Sequence, residues 1–124
     1  QARMANVPES HASHDFKASV RQAFATAYSG PPLESALSMS VTCVFPRPGT
    51  MMWKKKAMPR EWYNRKKNDW DNVGKAVSDA LNAIAYKDDG QIVAATVIRL
   101  IASGDEQPHV DVVIREMPDT VGTL

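Results

Sequence analysis

Cysteine is almost absent from this sequence. Cys43 is the single one in 124 residues, so it cannot form an internal disulfide, and we expect a buried apolar thiol rather than a nucleophile. No apolar run approaches the ~18–20 residues of a membrane span, and no secretory signal pattern opens the chain. There is no glycine-rich phosphate loop, and the three histidines are scattered without cysteine partners. We therefore expect a cytoplasmic protein with no membrane contact, no zinc site and no small-molecule cofactor.

The size and composition are those of one ordinary globular domain. Hydrophobic residues make up 44% of the chain and charged residues 23%, close to the average for such domains. A chain of this length buries ~65–70% of the surface that its unfolded form exposes, which is enough for one hydrophobic core. We predict a single domain over residues 1–124.

The net charge of +1 conceals a strong segregation of charge. Residues 47–67 contain eight basic residues and one acid, Glu61, a net charge of +7, so the remaining residues carry −6. The basic residues are Arg47, Lys54, Lys55, Lys56, Arg60, Arg65, Lys66 and Lys67. Trp53, Trp62 and Tyr63 lie among them, as in a phosphate-binding surface with stacking groups. Charge alone equally allows a solvated loop whose lysines serve only solubility.

Two amphipathic helices are predicted. The first covers residues 14–28, with Ser13 as its N-cap. The second begins near Asn72, with Asp71 at the N-cap position. Its apolar residues form one continuous stripe at helical spacing: Val73, Ala76, Val77, Ala80, Leu81 and Ile84.

Strand patterns occupy most of the rest of the chain. Residues 37–45 alternate between apolar and small polar side chains, which is typical of a strand with one buried face. Residues 91–102 are apolar on both faces, as in a central strand. A polar hairpin connection at 103–107 then leads to a last strand at 109–116, which alternates again.

Two segments show no clear period. We predict a long basic loop at residues 46–68, with a short helix near Pro59–Tyr63. Residues 1–12 look irregular, so we expect any N-terminal strand to be missing. The predicted fold is α/β (α+β): a small mixed sheet of about four strands with two main helices packed on it.

Acidic residues surround the second helix. Asp69 and Asp71, two residues apart in extended chain, can point to the same side, while Asp88 and Asp89 follow the far end of the helix. Oxygen ligands of this kind suit Mg²⁺, and Lys75, one turn after Asp71, could offset phosphoryl charge. Each part also has a purely structural explanation, because an aspartate before a helix is commonly a cap and Asp-Asp-Gly is commonly a turn.

Three segments together resemble the RusA family of Holliday junction resolvases, which phages and prophages often carry. They are KKNDWDNVGK at 66–75, DALN at 79–82 and YKDDGQIV at 86–93. The resemblance is dense over residues 64–100 and loose elsewhere. Two positions depart from the family pattern: Asn68 stands where proline or a basic residue is usual, and Trp70 where an aliphatic residue is common.

The resemblance implies a homodimeric endodeoxyribonuclease that depends on Mg²⁺, with Mn²⁺ as a substitute, and resolves four-way DNA junctions by paired nicks. It implies that Asp69, Asp71 and Asp89 bind the metal and that Lys75 is catalytic. The basic segment would bind the DNA backbone, through Lys54, Lys55, Lys56, Arg60, Arg65, Lys66 and Lys67.

Three other functions remain open at this point. The chain could be a non-catalytic dimer that binds branched DNA, with aspartates that only cap and turn. It could be a metal nuclease for other branched or flap DNA. It could also be a small protein-interaction module whose basic loop binds acidic partners.

Overall fold

A computed structural model describes residues 2–8 and 13–122. In chain order the regular elements are β1 (Ala2–Pro8), α1 (Ser13–Ala27), β2 (Leu37–Phe45), β3 (Glu61–Trp62), α2 (Trp70–Leu81), β4 (Ile92–Ile101) and β5 (His109–Glu116). Short 3-10 turns cover Gly49–Met51 and Asp89–Gln91. No helix in the described part of the chain is long and apolar enough to cross a membrane.

The strands form one mixed sheet with the order β1-β5-β2-β4-β3. Strands β2 and β4 are parallel, and the other pairs are antiparallel. A parallel pair needs a long crossover connection, and here that connection contains the basic segment and α2. The α+β class with helices packed on a mixed sheet is confirmed, although the sheet has five strands rather than about four.

The hydrophobic core lies between the sheet and the two helices. The alternation along β2 and β5 places Met39, Val41 and Val112 on the helix-facing side, where each is at most 3% exposed. Val77 of α2 and Phe24 of α1 meet them and are fully buried. Cys43 is buried in the same cluster, as predicted.

Strand β4 is not the central strand that its apolar sequence predicts. It pairs with β2 along its length, but with β3 only at Leu100 and Ile101. Many of its side chains are exposed, including 62% of Val93. Its apolar residues therefore do not reflect burial on both faces. The predicted hairpin at 103–107 is also wrong, because β2 lies between β4 and β5 in the sheet.

The two segments without a clear period contain more structure than expected. β1 pairs antiparallel with β5 over seven residues, from Ala2 opposite Arg115 to Pro8 opposite His109, so the expectation of an irregular N-terminus was wrong. In the basic segment, the helix predicted near Pro59–Tyr63 is replaced by β3. Tyr63, which follows β3, keeps the chain extended along β4: its N–H donates to the Arg99 carbonyl at 3.1 Å, and its ring stacks on Phe45 of β2 with centroids 4.1 Å apart.

Arg47 organises the basic segment. Its side chain is only 3% exposed and donates hydrogen bonds to the carbonyl oxygens of Met51, Pro59 and Ala102, at 2.8–3.2 Å. It also donates to Glu61 at 2.9 Å. A buried guanidinium with these partners holds both ends of the loop against β4, so Arg47 is structural rather than available to a ligand.

Candidate active site

The start of α2 is set by Asp69. Its backbone is extended (φ −65°, ψ 165°) and its carboxylate accepts a hydrogen bond from the backbone N–H of Asn72 at 3.4 Å. The preceding residue, Asn68, has a φ of 54°, a left-handed conformation that asparagine tolerates. Asp69 is therefore the N-cap and Asp71 lies within the first turn, which corrects the prediction that Asp71 is the cap and that the helix starts near Asn72.

The turn after α2 is held by Gln91. Its side-chain oxygen accepts from the N–H groups of Lys87 and Asp88, and its nitrogen donates to the carbonyls of Leu33 and Ser35, all at 2.9 Å. The Asp88 carboxylate caps the 3-10 turn by accepting from Gly90 N–H at 2.9 Å, and the bond from Asp88 N–H to the Gln91 side chain is part of a capping box. These bonds hold the backbone on both sides of Asp89 in place.

These two elements bring Asp71, Lys75 and Asp89 to one open pocket of about 300 Å³. Asp71 and Lys75 are exposed residues of α2, and Asp89 comes from the 3-10 turn. Gly74 allows the close approach of α2 to the sheet, since a Cβ there would lie 3.2 Å from Val97. The other lining residues are Met39, Trp70, Ser78, Ile92, Ala95 and Val97.

The structure brings together some of the predicted metal ligands but not all. Asp69, engaged as a helix cap, and Asp88, engaged as a turn cap, are not among the residues that line the pocket. Within the described ranges, no three His, Cys, Asp or Glu side chains are grouped so that they could hold a metal ion. Asp71 and Asp89 nevertheless offer only oxygen ligands, and Mg²⁺ usually takes one or two protein carboxylates together with water and phosphate. The pair therefore fits Mg²⁺.

Tyr86 supports the site without taking part in its chemistry. The ring is fully buried, and the hydroxyl donates to the carbonyl of Ser78 at 2.7 Å. Burial raises the pKa of Tyr86, and the negative charges of Asp89 and Asp79 raise it further. Tyr86 is therefore neutral at physiological pH and joins the last part of α2 to the segment that carries Asp89.

Residues 1–115 match the family described as endodeoxyribonuclease RusA. The chain belongs to the RusA family. A relative from Bacillus subtilis (strain 168), uncharacterized protein YqaN, is 47% identical over 51 residues, which cover 41% of this chain. The match spans about a third, 34%, of that relative's length.

The eight cations of the basic segment of this RusA-family chain fall into two groups. Arg47 is buried, as described above, and Arg60 forms a forked pair with Glu106, with Nε 3.0 and 2.9 Å from the two carboxylate oxygens. That pair lowers the pKa of Glu106 to about 2. The other six cations of the segment are exposed: Lys54, Lys55, Lys56, Arg65, Lys66 and Lys67.

The exposed cations are attached to ordered parts of the loop. Lys56 lies over the Trp53 ring, 4.0 Å from its centroid. Arg65 approaches the sulfur of Met51, in the 3-10 turn, at 3.8 Å. Of the seven residues predicted to bind the DNA backbone, Arg60 is thus paired with Glu106, and binding by the other six stays a prediction.

Two positioning residues of the RusA-family site were not identified from sequence. Gln91 was recognised only as part of a motif. Arg99 of β4 donates to the carbonyls of Arg65 and Asn68, at 3.1 and 3.2 Å, and lies over the Tyr63 ring. It thus ties the end of the basic segment to the sheet immediately before Asp69. Arg99 could have been noticed in the sequence because it is the lone charged residue of the mainly apolar strand β4.

Proposed function

We propose that this protein is a Mg²⁺-dependent endodeoxyribonuclease that resolves four-way DNA junctions by paired nicks. The observation that carries the proposal is one pocket lined by Asp71, Lys75 and Asp89 in a chain of the RusA family. The exposed cations end two residues before Asp69, so a bound DNA backbone would lead towards the pocket.

Each side chain has a distinct part in the proposed reaction. Asp71 and Asp89 would hold Mg²⁺. Asp69, which the family resemblance implies as a third ligand, caps α2 and does not line the pocket, so it would have to leave Asn72 N–H to reach the ion. The bound ion would supply an activated water and neutralise charge on the phosphodiester. Lys75, one helical turn after Asp71, would stabilise the charge that develops on the scissile phosphate. The six exposed cations would hold the flanking phosphates.

A substrate panel tests this function. Junction, fork, flap and linear duplex are compared at equal concentration, with Mg²⁺ and with a chelator. We expect the junction to be nicked fastest, in symmetrically opposed strands, and no cleavage without metal. Binding should weaken by about 10³-fold or more between 50 and 200 mM salt if six phosphates are neutralised.

Other results of the panel would replace the proposal. Preferred cleavage of flaps would indicate a different branched substrate. Junction binding without cleavage under any divalent metal would indicate a non-catalytic binding protein. Undetectable DNA binding at low salt would favour a protein-interaction module.

We also propose that the protein acts as a homodimer, because two active sites are needed for two opposed strands. The support in the fold is β4, whose edge before Arg99 has no strand partner on the β3 side among the described residues. Val93 and Ile98 are exposed there, at 62% and 37%. Long exposed edges of this kind are normally covered, and a two-fold axis would pair β4 with its copy.

Sedimentation equilibrium tests the dimer. We expect a dimer for the wild type and a monomer for Val93→Lys, because a lysine on each strand would place two charges at the joined edge. Val121→Lys is the control, since Val121 is 77% exposed and lies outside the sheet. A monomeric wild type, or dimers for both variants, would contradict pairing through β4.

A further inference from the structure

Trp70 is unusually placed for such a large apolar side chain. It is 64% exposed and yet lines the pocket beside Asp71. Most tryptophans bury their rings in a core or at an interface. An exposed indole at the mouth of a concave site therefore suggests that a ligand covers it.

The pocket has two chemically different sides. Asp71, Lys75 and Asp89 make it polar where the phosphate chemistry would occur. The apolar lining residues come from β2 and β4: Met39, Ile92, Ala95 and Val97. A metal ion and a phosphate do not need apolar contacts, whereas the flat face of a nucleobase does. A volume of about 300 Å³ is at the lower end of ligand pockets, enough for one small group and not for a duplex.

We propose that the pocket holds a single unstacked nucleotide at the cleavage point. Its base would lie against Trp70 and the apolar side chains, and its phosphate would face Asp71, Lys75 and Asp89. This inference rests on the proposed nuclease function and identifies what that function recognises. Unstacking a base costs least where it is already unpaired or at a branch point, so the pocket would favour junctions over linear duplex.

Trp62 provides a contrast. It is even more exposed, at 73%. Trp62 lies directly opposite Leu100, so the two side chains share one face of the sheet. Val97 and Arg99 occupy the alternate positions of β4, which face the helices. Trp62 therefore lies on the sheet face opposite the pocket. It is the matched control for loss of an exposed indole.

The test compares two substrates under single-turnover conditions. One is a fully paired junction, and the other carries an unpaired nucleotide at the mapped nick position. We expect Trp70→Leu to slow cleavage of the paired junction by about 10-fold and of the second substrate by no more than about 2-fold. The reason is that a base must be unstacked only in the paired junction, where stacking on the indole offsets that cost. Trp70→Phe should keep most of the wild-type preference, and Trp62→Leu should leave the ratio between substrates unchanged.

A second measurement does not depend on activity. 5-Iodouracil at the nick position is irradiated in the complex with the Asp71→Asn variant, and the cross-linked residue is identified by mass spectrometry. Cross-linking to Trp70 supports the inference. Cross-linking elsewhere, or equal slowing of both substrates by Trp70→Leu in a protein that still cleaves junctions, would overturn it while leaving the nuclease function intact. A wild type that neither binds nor cleaves junctions would instead overturn the proposed function itself.

Discussion

Asp71→Asn protein is expected to bind four-way junctions and to nick them more than ~100-fold more slowly than the wild type. Asp71 lines the pocket with Lys75 and Asp89, and a direct metal ligand should matter more than the outer partners of metal sites, whose loss costs 10–100-fold. The fold should be unaffected, because the Asp71 side chain is exposed and the helix cap is Asp69. The measurements are single-turnover nicking with Mg²⁺, junction binding by gel shift, and thermal unfolding.

Asp69→Asn separates the two roles that Asp69 could have, as the cap of α2 and as a metal ligand. Asparagine caps helices about as well as aspartate, so the bond to Asn72 N–H should survive and stability should change little. A large loss of nicking would then show that the carboxylate charge is needed, as the three-ligand proposal requires. Asp69→Ala should cost ~1 kcal/mol of stability in addition, since it removes the cap.

Asp88→Asn is the matched control for both variants. Asp88 is adjacent to Asp89, but its carboxylate caps the 3-10 turn and does not line the pocket. We expect nicking close to wild type, because asparagine can accept the same bond from Gly90 N–H. Full activity of Asp71→Asn, or equal losses from Asp71→Asn and Asp88→Asn, would contradict the assignment of Asp71 as a direct ligand.

Local patterns predicted the elements that bury one face. The alternation at 37–45 and 109–116 predicted β2 and β5 with the observed ends, because few structures other than a half-buried strand fit a period of two with one apolar face. The start of α2 was wrong by two residues, since Asp69 and Asp71 are equally good caps in sequence. The left-handed conformation of Asn68, held by Arg99 from β4, is a tertiary feature that no local pattern contains.

Sequence patterns predicted which residues form the site but not how their side chains are arranged. Motifs identified Asp71, Lys75 and Asp89, which do meet in one pocket, but spacing alone could not show that Asp69 faces its own helix. Counting charges likewise could not show that Arg47 and Arg60 have carboxylate partners, because Glu106 lies 46 residues from Arg60. The position of β4 beside an open edge depends on strand order, which an apolar run does not specify.

Gln91→Leu is expected to reduce the free energy of unfolding by ~3 kcal/mol, although leucine has nearly the same size. All four hydrogen bonds of the Gln91 side chain would be lost, which leaves Asp88 N–H and the Ser35 carbonyl without that partner, while Lys87 N–H and the Leu33 carbonyl keep their own bond at 3.3 Å. Each such group costs ~1–3 kcal/mol if it stays buried, and less where water reaches it. Urea denaturation measures the change.

Gln91→Glu is the matched variant, because it keeps the acceptor for Lys87 and Asp88 but loses the donor to Leu33 and Ser35. We expect a smaller loss of stability than for leucine and a turn that still presents Asp89. If the role of Gln91 is to position Asp89, nicking measured well below the unfolding temperature should fall for Gln91→Leu and be largely retained by Gln91→Glu. Equal nicking by both variants, with stability reduced as expected, would show that the Asp88 cap alone is enough to direct Asp89 into the pocket.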